Sequence, residues 1–130
     1  MKFNSQICTT REQSERLLAL GLKRETADMW YYKDSSGLQC SSVDEIAGEE
    51  AYFEYGIPAW SLHRLVEMAD TTQYINEGRK DESELWFCMD RCYCWNNHEA
   101  FYAINLYDSL INSIEWLIKE GYFNKEYLVC

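Results

Sequence analysis

The sequence predicts an α+β fold, in which a small antiparallel sheet of two hairpins packs with about three to four helices in a single domain, residues 1–130. Three observations lead to this prediction. The length fits one domain, and no linker-like or repeated segment divides it. The hydrophobic content of 47%, with 15% aromatic residues, is too high for a disordered chain. Runs with a strand-like composition alternate with stretches whose apolar residues recur at helical spacing.

The first helix is predicted over about residues 10–20. Two overlapping capping boxes can open it, and in each box a threonine and a residue three positions later satisfy each other's backbone N–H. These boxes are Thr9 with Glu12 and Thr10 with Gln13. Gly21 is expected to end the helix, because glycine readily adopts the left-handed conformation found after many helices.

A hairpin and a short helix follow. The β-rich run Met29–Lys33 meets the turn-rich tetrad Asp34–Gly37 and then a second short run from Leu38. This order predicts the first hairpin. Ser42 and Glu45 have the spacing of a capping box and predict a short helix after it.

A third helix is predicted over about residues 62–69. Pro58 keeps Ile57 out of a helix, and Ser61 has the side chain of an N-cap. The apolar residues that follow form one stripe at about 100° per residue, which places His63 on the opposite side of the helix. We therefore expect His63 to be exposed.

A second hairpin and a long helix complete the predicted fold. The hairpin is formed by the strand-like runs "LWFCM" and "CYCWN". The helix starts near Tyr107 and ends at Gly121, and its apolar residues span about 120° of the helical wheel. Trp116 lies roughly 160–200° away from that stripe. It is either covered by the C-terminal tail or left as an anchor for another chain, including a second copy.

Charge and hydropathy exclude several function classes. The chain has 22 acidic and 12 basic side chains, a net charge of −10, and residues 31–90 alone hold 13 acids and four bases. Such a surface repels phosphate backbones, so direct nucleic-acid binding is not expected and a basic protein partner is favoured. No stretch approaches the roughly 18 apolar residues of a membrane span, and the N-terminus has no signal-peptide core. We expect a cytoplasmic protein without membrane contact, whose six cysteines are thiols or ligands and not disulfides.

Three segments resemble those of a protein family. The segments are "ICTTREQSERLLALGLKRETADMWY", "IPAWSLHRLVEM" and "SIEWLIKEGYFNKEYLV", and they cover about 55 of the 130 positions. They are similar to segments of short uncharacterised proteins that phages and other mobile elements of gut Bacteroidetes carry. In that family the segments recur around a middle of varying length. The resemblance implies a mobile-element origin and an α+β fold, and it implies no activity, ligand or catalytic residue.

The segment "FCMDRCYCWNNHE" raises the question of a metal site. Zinc is one interpretation, because a structural zinc site needs four thiolate or imidazole ligands. The four candidates are Cys88, Cys92, Cys94 and His98. The favoured interpretation is that the thiols fill an apolar sheet face, because free cysteine is among the most buried residue types. We therefore expect a protein without a cofactor, and a protein that binds zinc through this segment is the alternative.

Other catalytic patterns are absent from the sequence. It has no phosphate-binding glycine loop and no nucleophile elbow, and its carboxylates are expected in loops or on solvated helix faces. A non-enzymatic protein–protein interaction module is therefore favoured, with aromatic anchors inside an anionic rim. The residues predicted to contact the partner are Trp116, Glu49, Glu50, Tyr52, Glu82 and Glu84. A narrower alternative is an inhibitor whose acidic segment imitates nucleic-acid phosphates and binds a host DNA-binding protein.

Overall fold

The structure is a computed structural model. It describes residues 1, 5–34, 37–42, 56–69, 85–87, 93–95 and 103–129, and for residues 32–34, 37–42, 85–87 and 93–95 it describes the backbone alone. The chain forms two compact units, Met1–Arg64 and Leu65–Cys130. The described part contains three α-helices and five strands, all paired antiparallel, so the predicted α+β class is confirmed.

The first unit opens with helix α1, Arg11–Ala19. Thr10 is its N-cap. The Thr10 hydroxyl accepts a hydrogen bond from the Gln13 N–H at 3.2 Å, and the Gln13 side chain accepts one from the Thr10 N–H at 2.9 Å. Of the two predicted capping boxes, the structure therefore forms the one that starts at Thr10.

A three-stranded sheet follows, with the strand order β2-β1-β3. Strand β1, Met29–Asp34, lies at the centre and pairs with β2, Gly37–Ser42, where the sequence predicts the first hairpin. Strand β3, Ile57–Ala59, pairs with the other side of β1 and packs against α1. The sequence did not predict β3, because Pro58 indicated only the absence of a helix. An edge strand is the position in a sheet that tolerates proline.

Helix α2 covers Leu62–Ala69, as predicted. Its N-cap is Ser61, whose hydroxyl accepts a hydrogen bond from the Arg64 N–H at 3.2 Å. His63 is exposed, which confirms its predicted position on the outer side of the helix.

The second unit contains a two-stranded sheet and the longest helix of the described part. Strands β4, Leu85–Phe87, and β5, Tyr93–Trp95, pair within the segments predicted as the second hairpin. Helix α3, Leu106–Glu120, packs against β5 and is capped by Asn105, whose side chain accepts from the first-turn N–H groups. Its buried side is wider than predicted, because two serines extend it beyond the apolar stripe. The buried residues are Tyr107, Ser109, Leu110, Ile111, Ser113, Ile114 and Leu117.

Helices α1 and α3 end in the same way. Each is followed by a glycine with a positive φ, 100° at Gly21 and 81° at Gly121. After each glycine, a backbone N–H donates to the carbonyl five positions earlier, which is the Schellman arrangement. These hydrogen bonds join Leu22 to Leu17 at 3.3 Å and Tyr122 to Leu117 at 2.8 Å. Both helix ends predicted from glycine are thus confirmed.

Candidate interaction site

Trp116 is the one predicted partner-contacting residue that lies in the described part of the chain. The other five lie outside the described residues: Glu49, Glu50, Tyr52, Glu82 and Glu84. Three of the four candidate zinc ligands also lie outside them, namely Cys88, Cys92 and His98. The fourth, Cys94, is a β5 residue whose backbone lies opposite Trp86 of β4.

The Trp116 indole lies away from the apolar stripe of α3, as the helical spacing predicts. It is half-buried, and the Tyr122 ring from the C-terminal tail lies beside it, with 5.9 Å between the ring centroids and 39° between the ring planes. The tail therefore contacts Trp116 without enclosing it. Tyr122 of the tail thus covers part of Trp116, and the alternative that Trp116 anchors another chain stays a prediction.

Trp116 differs in this respect from the other tryptophans whose side chains the structure describes. Trp30 is 2% exposed and Trp60 is 0% exposed, so both are core residues. A half-buried indole next to a tyrosine ring offers a large, rigid apolar surface with little rotamer entropy left to lose. Such a surface is suited to binding another protein.

The residues around Trp116 on α3 are polar. Lys119 and Glu120, which follow it by one turn, are exposed, and so is Glu115. The unit Leu65–Cys130 has 12 acidic and five basic residues, a net charge of −7. An aromatic pair with a polar border therefore lies in the more acidic of the two units.

Sequence reasoning missed a buried polar cluster in the first unit. Thr9 is fully buried, and its hydroxyl shares a hydrogen bond with the Ser14 hydroxyl at 2.8 Å and accepts one from the Trp60 N–H at 3.0 Å. The Thr9 N–H donates to the Trp60 carbonyl at 2.8 Å, so the two residues are joined twice. Thr9 belongs to the "CTT" segment and Trp60 to the "IPAWSL" segment. These two segments lie far apart in the sequence, and the structure joins them by hydrogen bonds.

A buried thiol extends this cluster. The Cys8 Sγ donates to the Tyr31 hydroxyl at 3.3 Å, and that hydroxyl donates to the Thr9 carbonyl at 2.8 Å. A cysteine nucleophile needs a base within hydrogen-bond reach and access for the substrate. Cys8 is 2% exposed, so its sulfur has little access to a substrate.

Asp28 and Ser61 form a carboxylate–hydroxyl contact in the same unit. The Ser61 N–H donates to Asp28 Oδ1 at 2.8 Å, and the Ser61 hydroxyl donates to Asp28 Oδ2. Because the same hydroxyl accepts the Arg64 N–H, Ser61 caps α2 while Asp28 holds the cap in place. This geometry fixes the entry to α2.

Among the side chains that the structure describes, no three from histidine, cysteine, aspartate and glutamate lie together in a way that could hold a metal ion. No α-helix within the described ranges combines the length and the apolar character needed to cross a bilayer.

Comparison of the chain with protein-family models, curated proteins and solved structures found no match.

Proposed function

We propose that this chain is a non-enzymatic interaction module that binds a basic protein surface with Trp116 as its anchor. The observation that carries the proposal is the half-buried indole on the outer side of α3, next to the Tyr122 ring. Tryptophan is enriched among the residues that dominate binding energy, and a partner that covers the rest of the indole would remove apolar surface from water.

The charge distribution supports a basic partner. The net charge of −10 would steer a cationic surface toward the chain and repel nucleic acid. We propose that Glu49, Glu50, Tyr52, Glu82 and Glu84 contact the same partner, on the basis of their place in the acidic middle of the sequence. A host DNA-binding protein is a narrower form of the same proposal, because such a protein carries a phosphate-binding cationic face.

The resemblance of three segments to mobile-element proteins supports a setting for this activity. We place the chain in the cytoplasm of a gut Bacteroidetes host, as an accessory protein of a phage or another mobile element. The α+β class, which the resemblance also implies, agrees with the structure.

The test is quantitative capture of proteins from a Bacteroidetes lysate by the tagged full chain. We expect Trp116→Ala to lower the recovery of a basic partner at least tenfold, since truncation of an anchor residue costs about 2 kcal/mol or more. Trp116→Phe should retain part of the binding. Raising the salt from about 0.15 M to about 1 M should weaken capture, because it screens the steering charges.

Two controls make this test specific. Ile104 is 83% exposed in the same unit, so Ile104→Ala removes an apolar side chain that is more accessible than Trp116 and should leave recovery unchanged. Reversal of Glu49, Glu50, Glu82 and Glu84 to lysine should abolish capture. Equal recovery by the wild type and a folded Trp116→Ala variant would contradict the anchor, and capture that survives the charge reversal would contradict the acidic rim.

Zinc binding is a second candidate, and the register of β4 and β5 favours it. Phe87 lies opposite Tyr93, so the connection between the strands is residues 88–92, which begins and ends with a cysteine. Native mass spectrometry of protein purified without chelator would detect one zinc per chain. Loss of that mass excess in Cys92→Ser and Cys94→Ser would support the site, and a bare polypeptide mass would exclude it.

A further inference from the structure

Helix α3 ends in a way that holds Tyr122 against Trp116. The Tyr122 N–H donates to the Leu117 carbonyl at 2.8 Å, and the Phe123 N–H donates to the same carbonyl at 3.1 Å. The left-handed turn at Gly121, with φ 81°, brings both N–H groups back to the helix. The backbone of Tyr122 is therefore attached to the helix that carries Trp116.

Phe123 holds the same segment from its other end. Its side chain is 2% exposed, and its ring lies beside the Tyr127 ring, with 5.7 Å between the centroids. Moving the Tyr122 backbone away from α3 would break two hydrogen bonds and expose the Phe123 ring to water. Tyr122 is therefore a fixed neighbour of Trp116, and the segment that carries it is not a lid that opens.

Trp116 and Tyr122 together form one aromatic surface. Both residues are half-buried, and the 5.9 Å between their ring centroids lies within the range of interacting aromatic pairs, about 4.5–7 Å. Contact between the rings restricts the rotamers of both side chains before a ligand arrives. A ligand that covers this pair therefore loses less free energy to side-chain ordering than it would lose on two mobile rings.

The charge of this region favours a cationic ligand. Helix α3 has three acidic residues and one basic residue, and the unit that contains it has a net charge of −7. Glu120 is exposed and follows Trp116 by four positions, so the two residues share one side of the helix. The exposed side chains next to Trp116 are Glu115, Lys119 and Glu120, and their charges sum to −1.

Among cationic side chains, arginine suits an aromatic pair better than lysine does. The guanidinium is planar and weakly hydrated, so it stacks on aromatic rings, whereas the lysine ammonium is strongly hydrated. Its fork of N–H groups can donate to an oxygen at the same time. The first unit contains one arginine that makes both contacts. The Arg24 guanidinium lies over the Trp30 ring, 5.3 Å from the centroid, and donates to the Gly56 carbonyl at 2.6 Å.

We propose that Trp116 and Tyr122 form one preorganised site for an arginine side chain of the basic partner. The arginine stacks on the aromatic pair and donates to the Glu120 carboxylate. This assignment rests on the proposed function, since it names the group that the Trp116 anchor binds. It adds Tyr122 as a second contact residue, which the turn at Gly121 positions.

Two labelled peptides of equal length, one of arginine and one of lysine, test this site by fluorescence anisotropy with the full chain. Their equal charge makes the long-range attraction to the acidic chain the same, so a difference in affinity reports the contact itself. We expect the arginine peptide to bind the wild type about two- to fivefold more tightly than the lysine peptide.

Substitutions in the aromatic pair should remove this preference. Trp116→Ala and Tyr122→Ala should each bring the affinity for the arginine peptide close to that for the lysine peptide, because each removes a ring. Tyr122→Phe keeps the ring and should keep the preference. Ile104→Ala is the control in the same unit and should leave both affinities unchanged.

A second variant decides the role of Tyr122 if Tyr122→Ala does not fold, which circular dichroism would show. Tyr122→Leu keeps an apolar side chain beside Trp116 but has no ring, so it should lose the arginine preference. A folded Tyr122→Leu variant with the wild-type preference would overturn the second contact residue.

The outcomes separate the arginine site from the Trp116 anchor. If the wild type does not prefer arginine and Trp116→Ala weakens both peptides equally, the anchor stands and the arginine site is wrong. The arginine site is also wrong if Tyr122→Ala binds the arginine peptide as tightly as the wild type does, or more tightly. If Trp116→Ala changes neither affinity, the anchor and the arginine site are both wrong.

Discussion

Both compact units bury apolar side chains, and the described part of the first unit adds hydrogen bonds between distant residues to them. In Met1–Arg64, hydrogen bonds between distant residues join α1, β3 and the entry to α2, with Thr9, Trp60 and Asp28 at their centre. In Leu65–Cys130, helix α3 buries a long apolar side. Hydrogen bonds admit a narrow range of geometries, whereas apolar packing tolerates changes that preserve volume. We therefore expect the first unit to be sensitive to single polar atoms and the second to buried volume.

The units also differ in charge. Met1–Arg64 has 10 acidic and seven basic residues, a net charge of −3, whereas Leu65–Cys130 has a net charge of −7. The half-buried Trp116 lies in the more acidic unit. This position agrees with the proposal of a basic partner at α3.

The largest loss of stability is expected from a substitution on the buried side of α3. Ile114 is 0% exposed, so Ile114→Ala should lower the free energy of unfolding by about 2–5 kcal/mol through lost burial and a cavity. Ile114→Val should cost only about 0.5–1.5 kcal/mol. Urea denaturation measures both values. If the two variants lose similar amounts of unfolding free energy, buried volume is not the source of the stability that α3 contributes.

Thr9 provides the corresponding test in the first unit. Thr9→Val keeps the shape and removes the hydroxyl, which leaves the buried Trp60 N–H and Ser14 hydroxyl without this partner. The expected loss in the free energy of unfolding is about 1–3 kcal/mol. Thr9→Ser keeps the hydroxyl and should cost less. If valine proves the milder substitution in urea denaturation, the polar character assigned to this unit is wrong.

A substitution at Gly121, at the end of α3, tests how much the backbone conformation alone contributes to stability. No atom lies within 4 Å of a Cβ added at Gly121, so Gly121→Ala introduces strain at φ 81° without a clash. We expect a loss of about 1–2 kcal/mol in the free energy of unfolding. Gly121→Asn should be milder, because asparagine tolerates this conformation. Equal thermal stability of the alanine variant and the wild type would contradict the role of Gly121.

The smallest change in stability is expected from a substitution at the surface of the first unit. Arg11 and Glu15 form an ion pair at 3.5 Å, and their side chains are 65% and 62% exposed. Arg11→Ala should change the free energy of unfolding by less than about 0.5 kcal/mol, because water and salt screen exposed pairs. A larger loss would mean that charge, and not only the Thr9 network, stabilises this unit.

The sequence predicted those features that depend on neighbouring residues. The Thr10–Gln13 capping box, the Ser61 cap and the glycine that follows α3 each involve residues within a few positions of one another. Each can be predicted from a short stretch of sequence, because a cap satisfies backbone groups of its own helix. The bounds of α2 were predicted correctly for the same reason.

Features that join distant residues were missed. Strand β3 depends on pairing with β1, and the Thr9–Trp60 contact joins residues 51 positions apart. No local pattern selects one such partner among many. The width of the buried side of α3 was also underestimated, because Ser109 and Ser113 are small enough to be buried although their polarity predicts exposure.

The candidate site was predicted only in part. Helical spacing predicted that Trp116 lies off the apolar stripe, but the contact with Tyr122 depends on how the chain turns after Gly121. The zinc interpretation and the five other contact residues stay predictions, since those five residues and three of the four candidate zinc ligands lie outside the described residues.

The separation between Thr9 and Trp60 sets an order of events during synthesis. Helix α1 has only nine residues and is marginal on its own, and the hydroxyl of Thr9 stays hydrated until Trp60 has been made, 51 residues later. At about 5–20 residues per second, this delay lasts roughly 3–10 s. For that time the nascent chain displays an unclosed N-terminal segment, which is the period in which a chaperone would encounter it.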